Sequence, residues 1–134
     1  MAGYSGTPLV RKLGIPSDST VALLGAPEGF VASLEDLPEG VVFRTRAQGR
    51  LDMAISFQTE RAVLERRLPA ILKGLRRDGA IWVAWPKKAA KVPTDVTDEV
   101  VREVVLPIGL VDVKVCAIDD TWSGLKVVWR KENR

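Results

Sequence analysis

The sequence contains no histidine and a single cysteine, Cys116. Without histidine, the chain cannot use a serine–histidine or cysteine–histidine pair for nucleophilic catalysis. Zinc sites are excluded in practice for the same reason, since their usual ligands are histidine and cysteine. Cys116 has no second cysteine with which to form a disulfide, and its apolar surroundings indicate a buried, unreactive thiol. We therefore predict no metal site and no catalytic residue.

Long hydrophobic runs are also missing. The most apolar stretch, residues 79–86, is far too short to cross a bilayer. The first residues, MAGYSGTPLVRKLG, lack the apolar centre of a signal peptide. The chain has 134 residues, 46% of them hydrophobic, and a net charge of +3. This composition predicts one globular domain over residues 1–134, in the cytoplasm and without membrane association.

What the sequence does contain is an alternation of apolar, strand-like runs with helical segments. Residues with a preference for helix N-caps precede three of the helical segments, and we take these as the caps: Thr7, Thr59 and Thr97. Helices are predicted at residues 7–14, 28–37, 59–77 and 97–105. Strands are predicted at residues 20–26, 40–46, 51–57, 79–86, 110–118 and 124–130.

The third predicted helix has two further features. Its apolar residues recur every three or four positions and predict one buried stripe: Leu64, Leu68, Ile71 and Leu75. Pro69 has no backbone N–H, so we expect the helix to kink or restart there.

The order of these elements predicts an α/β fold. Strands that alternate with helices form a parallel sheet covered on both faces, and the short turn at residues 119–123 makes the last two strands antiparallel. We predict a three-layer α-β-α sandwich, whose mostly parallel, Rossmann-like sheet has about six strands and ends in a C-terminal antiparallel hairpin. Trp82, Trp85 and Trp129 lie in apolar strands and are predicted to belong to the core.

The chain from LDMAISF onward resembles the carboxyl half of Rossmann-like, S-adenosylmethionine-dependent methyltransferases. The matching features are a strand that opens with Asp52, the helix after Thr59, the strand GAIWVAW and the hairpin around DDTWSG. The resemblance implies the sheet order 2-1-4-5-7-6 in that family's strand numbering, with the third strand absent. It also implies that VALLGAPEGF occupies the place of the glycine-rich cofactor loop.

A second resemblance covers the chain from end to end. GYSGTPLVRKLGI, RRLPAILKGLRRDGAIWVAWPKK and DDTWSGLKV resemble segments of a family of small bacterial proteins known only as a domain of unknown function. This resemblance implies no particular activity.

The turn at residues 25–29 differs from a phosphate-binding loop. Pro27 removes a backbone N–H that a ligand could use, and Glu28 places a carboxylate where a phosphate would lie. The second strand ends in Arg-Thr-Arg at residues 44–46, whereas Rossmann-like enzymes have a carboxylate there that binds ribose hydroxyls. We therefore interpret residues 25–29 as a structural turn and expect no cofactor. S-adenosylmethionine or a nucleotide, the latter favoured by the arginines, is the alternative.

Two candidate surfaces follow from the predicted topology. Ligands of open α/β sheets bind in the crevice at the carboxyl ends of the strands. The candidate crevice residues are Gly25, Ala26, Glu28, Gly29, Gln58, Trp85, Lys87 and Lys88. The candidate partner surface is the last turn, with Asp119, Asp120 and an exposed Trp122.

These observations favour a non-catalytic, methyltransferase-like scaffold that acts by binding another protein or a second copy of itself. The first alternative is a divergent enzyme that depends on S-adenosylmethionine or a nucleotide. The second is a nucleic-acid-associated protein that uses the basic residues of the third helix, namely Arg61, Arg66, Arg67, Lys73, Arg76 and Arg77. Glutamates lie among these residues, which favours a solvated helix face over a nucleic-acid surface.

Overall fold

Six strands form one mixed sheet in the computed structural model, which describes residues 7–134. The strands are β1 (Thr20–Leu24), β2 (Val42–Arg44), β3 (Leu51–Phe57), β4 (Leu75–Pro86), β5 (Leu110–Ala117) and β6 (Trp122–Trp129). The helices are α1 (Leu9–Leu13), α2 (Arg61–Gly74) and α3 (Asp98–Val105). None of these helices in the described part of the chain has the length and hydrophobicity needed to cross a membrane.

The strand order is β2-β1-β3-β4-β6-β5. β2, β1, β3 and β4 pair in parallel, whereas β6 is antiparallel to both β4 and β5. Both the predicted fold class and the predicted order 2-1-4-5-7-6 are thereby confirmed.

Each face of the sheet carries its own hydrophobic core. On one face, α2 and α3 pack against the strands, and Leu64, Leu68 and Ile71 are buried as predicted. On the other face, α1 packs over β4, where the indole N–H of the fully buried Trp82 donates to the Leu13 carbonyl at 2.9 Å. The sheet therefore forms the middle of three layers, and loops connect the ends of its strands.

The helix predicted at residues 28–37 is wrong, because only a single 3-10 turn, Val31–Ser33, forms there. Gly29 and Asp36 adopt positive φ angles of 80° and 58°, which a right-handed helix does not accommodate. The few residues between them are too short for a stable helix. Phe30 is nevertheless buried, so this segment still covers the sheet.

The predicted bounds and cap of the third helix are also wrong. α2 begins at Arg61, and its first N–H donates to the side chain of Asp95, 34 residues later, at 2.7 Å. The backbone carbonyl of Thr59, the predicted cap, instead accepts a hydrogen bond from the Thr94 hydroxyl. The helix runs without interruption through Pro69.

The same helix ends earlier than predicted. α2 stops at Gly74, and Leu75, although buried, is the first residue of β4. A Cβ at Gly74 would lie 1.9 Å from the Gly49 carbonyl oxygen, so only glycine fits between the helix end and the loop before β3. This close approach brings Leu75 into register with Leu51 of β3.

Three smaller differences concern ends of elements. Pro8, not Thr7, occupies the N-cap position of α1, and no side chain caps that helix. β2 spans three residues rather than the predicted seven. Trp122 and Ser123 belong to β6 rather than to the turn before it. Thr97 does cap α3 as predicted, since its hydroxyl accepts a hydrogen bond from Val100 N–H.

Candidate functional site

The carboxyl ends of β1, β3 and β4 lie next to one another, as the predicted topology requires. This edge, which we call the carboxyl edge, places Gly25 after β1, Gln58 after β3 and Lys87 after β4. The turn before β6 lies at the same edge because β6 runs antiparallel to β4, with Trp122 opposite Pro86. The Lys87 N–H donates to the Thr121 carbonyl at 2.7 Å and ties this turn to the end of β4.

The turn after β1 depends on two glycines for different reasons. Gly25 has φ +66°, and a Cβ there would lie 2.5 Å from the Phe57 carbonyl oxygen and 2.9 Å from Nη2 of Arg67. Gly29 has φ +80°, but a Cβ there would meet no atom within 4 Å. Gly25 therefore allows β1 to end tightly against β3, whereas Gly29 borders open space. Ala26 and Glu28 lie between them, half-buried and exposed respectively.

Gln58 is buried and its side chain is used inside the fold. Its Nε2 donates to the Ala84 carbonyl at 2.7 Å, and its Oε1 accepts from the Ser56 hydroxyl at 2.6 Å. Arg67 of α2 joins this network, donating from Nη1 to the Phe57 carbonyl at 2.7 Å and to Ser56 Oγ at 3.1 Å. These bonds satisfy the carbonyls at the ends of β3 and β4. Gln58 thus stabilises the carboxyl edge through buried hydrogen bonds.

Three aromatic side chains meet at the carboxyl edge. The rings of Phe30 and Phe57 pack edge to face with centroids 5.2 Å apart, and Trp122 also packs edge to face with Phe57, at 5.1 Å. Trp122 is therefore half-buried against β3, and the prediction of an exposed tryptophan in this turn is wrong. Sequence reasoning missed the cluster because its members are distant in the chain. The signal was that each aromatic residue lies close to one end of a strand.

A cleft of about 360 Å³ opens on the α2 side of the carboxyl edge. We call it the arginine cleft. Its lining residues come from the end of β1, the loop after β2 and the outer face of α2: Leu24, Gly25, Thr45, Arg46, Ala47, Arg66, Arg67 and Ala70. Three of these residues are basic and none is acidic. No carboxylate in residues 7–134 lies within ion-pair distance of the three arginines.

Arg67 is the most constrained cation of the cleft. Its guanidinium is held by the carbonyl of Phe57 and the hydroxyl of Ser56, and the side chain is half-buried. Burial lowers the pKa of Arg67, and the adjacent charge of Arg66 lowers it further. The cleft therefore presents positive charge that the protein itself does not neutralise.

The other basic residues of the predicted helix face are dispersed. Arg61 pairs with Glu65 and Glu103 at 3.2 and 2.8 Å. Arg76 and Arg77 belong to β4 at the opposite edge of the sheet, where Arg77 lies over the Trp129 ring at 4.2 Å. A second cleft, of about 450 Å³, lies at that edge. Four arginines line it, but so does Asp78, which pairs there with Arg76. The six residues thus do not form one basic surface.

The remaining predicted site residues are placed as follows. Trp85 and Trp129 are buried in the core under α2 and α3, and Trp82 is buried in the core on the other face of the sheet. Lys88 is exposed. The Asp119 carboxylate accepts the N–H groups of Thr121 and Trp122 and so closes the last turn, whereas Asp120 is exposed. Asp52 lies at the opposite edge, where it accepts the Thr20 N–H.

Cys116 is half-buried in β5, and desolvation by burial raises its pKa. Because the thiolate is the reactive form, we expect alkylation by iodoacetamide at pH 8 to be several-fold slower in the folded protein than in urea. The rate should continue to increase with pH above the usual pKa of a free thiol. Mass spectrometry of timed samples measures both rates. A folded-state rate equal to that in urea would contradict this prediction.

Comparison with known proteins shows which structures share this fold. No family model matches the chain, and a search of curated proteins gave no match. Among solved structures, a ribosomal protein L11 methylase from Lactobacillus delbrueckii subsp. bulgaricus is 11% identical over 91% of this chain and 75% of its own, with a TM-score of 0.60. An S-adenosylmethionine-dependent methyltransferase from Aquifex aeolicus is 9% identical over 89% and 86%, with a TM-score of 0.61. A magnesium protoporphyrin IX methyltransferase from Synechocystis PCC 6803, solved with S-adenosylmethionine, is 12% identical over 91% and 74%, with a TM-score of 0.57.

These similarities confirm the Rossmann-like, methyltransferase-type fold that the sequence resembles. They also correct our interpretation of its function. The non-catalytic, protein-binding scaffold is contradicted, because the structural neighbours named here are methyltransferases, two of them described with S-adenosylmethionine. The expectation of no cofactor is likewise not supported, since one of these methyltransferases was solved with S-adenosylmethionine.

Proposed function

We propose that this chain is a divergent S-adenosylmethionine-dependent enzyme whose cofactor binds at the carboxyl edge beside Gly25. The observation that carries the proposal is the sheet itself, with β6 inserted antiparallel between β4 and β5. In open α/β sheets, ligands bind outside the carboxyl ends of the strands. The similarity to known methyltransferases supports this choice of ligand.

The backbone of the carboxyl edge fits an adenosyl ligand. Gly25 brings the end of β1 close to β3, and the space beside Gly29 is free of protein atoms. Besides Pro27 and Glu28 in the turn, the side chains differ from a usual adenosyl site after β2, where Thr45 and Arg46 stand in place of a ribose-binding carboxylate. The Thr45 hydroxyl is the group there that can bond a ribose hydroxyl.

Each part of this edge would have a defined role. When bound, the cofactor supplies a methyl group on a cationic sulfur. The turn at residues 25–29 would hold it through backbone N–H groups, and Thr45 would orient the ribose. Phe30, Phe57 and Trp122 exclude water from the side of the edge that faces α1. A location in the cytoplasm, predicted from the sequence, stays a prediction.

Isothermal titration with S-adenosylhomocysteine tests the proposal. We expect micromolar binding, and amide NMR shifts concentrated at residues 25–29 and 45–47 rather than at the opposite edge around Gly79. Absence of binding at millimolar ligand, or shifts confined to the opposite edge, would contradict the proposal.

Gly29→Ala should weaken that binding about tenfold, because its new methyl group projects into the space assigned to the cofactor. Gly14→Ala is a matched control. Gly14 also has a positive φ, +72°, and open space around a Cβ, but it ends α1 away from the site. Both variants should lose about 1 kcal/mol of stability from backbone strain alone. Equal affinities for the ligand in the two variants would show that Gly29 does not border it.

A further inference from the structure

The arginine cleft holds uncompensated positive charge in one small space. Among the arginines of residues 7–134, Arg61, Arg76 and Arg102 have carboxylates within 4 Å, and the others have none. Arg46, Arg66 and Arg67 are distinguished from the other unpaired arginines because they line one cleft that has no acidic residue. Like charges that face one cavity repel each other unless an anion lies between them. The cleft therefore suits a ligand that brings several negatively charged oxygens.

The rest of the cleft wall is apolar or small. Leu24, Ala47 and Ala70 line it beside the arginines, together with Gly25 and Thr45. A ligand that fills both parts has a flat or apolar body and an anionic end. At about 360 Å³, the cleft accepts a molecule of nucleotide size.

The cationic end of the cleft is already ordered. Nη1 of Arg67 donates to the Phe57 carbonyl at 2.7 Å, and Nη2 lies against Gly25, so this guanidinium is fixed before any ligand binds. A donor that is fixed in advance loses little conformational entropy on binding. Guanidinium groups also match the geometry of phosphate oxygens better than ammonium groups do.

We propose that the arginine cleft binds the phosphate of a nucleotide through Arg46, Arg66 and Arg67, with its base against the apolar wall. A nucleotide would then be the substrate of the proposed enzyme, and this role rests on the proposed function. The binding of a nucleotide in the arginine cleft does not depend on that function. A small nucleotide fits better than a nucleic acid. A nucleic-acid strand needs a continuous basic surface. Arg61 at the start of α2 is paired with two glutamates, and Arg76 and Arg77 lie in β4 at the opposite edge, which leaves Lys73 as the remaining cation of α2.

Isothermal titration with ADP, adenosine and pyrophosphate tests this proposal. ADP should bind at least about tenfold more tightly than adenosine, because only ADP offers phosphate oxygens to the arginines. In the double variant Arg46→Ala/Arg66→Ala, ADP affinity should fall about 20-fold or more. Both residues are exposed, so this variant should fold normally. Lys73→Ala is the matched control, since it removes one exposed cation from α2 outside the cleft and should change affinity less than about twofold.

The results of these titrations support or overturn the nucleotide proposal. Loss of ADP binding in the double variant but not in Lys73→Ala supports the proposal. No ADP or pyrophosphate binding at millimolar concentration overturns it. An equal loss in Lys73→Ala, or tight binding of a single-stranded oligonucleotide with a steep salt dependence, overturns it in favour of a nucleic-acid surface. S-adenosylhomocysteine is titrated into the same variants. If ADP binds and S-adenosylhomocysteine does not, the proposed enzyme is refuted and the nucleotide cleft remains supported.

Discussion

Replacing Trp82 with alanine should lower the free energy of unfolding by about 5 kcal/mol. Trp82 is fully buried in β4, and its indole N–H donates to the Leu13 carbonyl across 69 residues of sequence. The substitution leaves a large cavity under α1, and it also leaves a buried carbonyl without a partner. Because domains are typically stable by only about 5–15 kcal/mol, a third or more of the stability should be lost.

Urea unfolding followed by far-UV circular dichroism measures this effect. Trp82→Phe keeps an aromatic ring but removes the donor, so it should cost about 1–3 kcal/mol. Trp85→Phe is the matched control, since Trp85 is also buried in β4 but its ring nitrogen has no hydrogen-bond partner in residues 7–134. Equal costs for the two phenylalanine variants would show that the bond to Leu13 adds nothing. A cost below about 2 kcal/mol for Trp82→Ala would refute the central role of this side chain.

Trp82 also shows what the sequence can predict. Its apolar run, GAIWVAWP, was sufficient to predict a buried strand, because a strand covered on both faces needs apolar residues at successive positions. The cap of α3 was also predictable from the sequence, because the Thr97 hydroxyl accepts a hydrogen bond from an N–H only three residues away. The hydrogen bond from Trp82 to Leu13 was not predictable, because it requires knowledge of which helix covers which strand.

The two errors at the ends of α2 have the same origin. Asp95 caps α2 across 34 residues, so the local signal at Thr59 pointed to the wrong residue. Leu75 continued the helical spacing of the buried stripe, but its pairing with Leu51 of β3 recruited it to β4. Tertiary contacts outweighed local preference in both places. The order of the strands, by contrast, was predicted through the resemblance to methyltransferases, because periodicity alone does not specify which strands are neighbours.

The site was predicted in its position but not in its chemistry. The residues after β1, β3 and β4 do share one edge, as parallel strands require. The arginine cleft was missed because Arg46 and Arg66 lie 20 residues apart in the chain and meet only when α2 packs beside the loop after β2. The Arg-Thr-Arg sequence at residues 44–46 was a partial signal, since it already indicated a preference for phosphate over a bare ribose.

Replacing Gly25 with alanine should cost about 2–5 kcal/mol of stability, the second-largest effect we expect. The new Cβ would lie 2.5 Å from the Phe57 carbonyl oxygen, a backbone atom of β3 that cannot move without disturbing the sheet. It would also lie 2.9 Å from Nη2 of Arg67 and press on the guanidinium that closes the arginine cleft. Backbone strain at φ +66° contributes only about 1 kcal/mol of the loss.

Gly29→Ala separates the two causes, because it has the same kind of backbone strain without the collision. The difference in unfolding free energy between the two variants measures how tightly β1 must end against β3. A loss in Gly25→Ala no larger than that in Gly29→Ala would show that Gly25 is needed only for its φ angle. A larger loss, together with weakened ADP binding, would show that this glycine sets the position of Arg67. The turn after β1 would then be neither a plain turn nor a phosphate loop, but the support on which a phosphate-binding arginine rests.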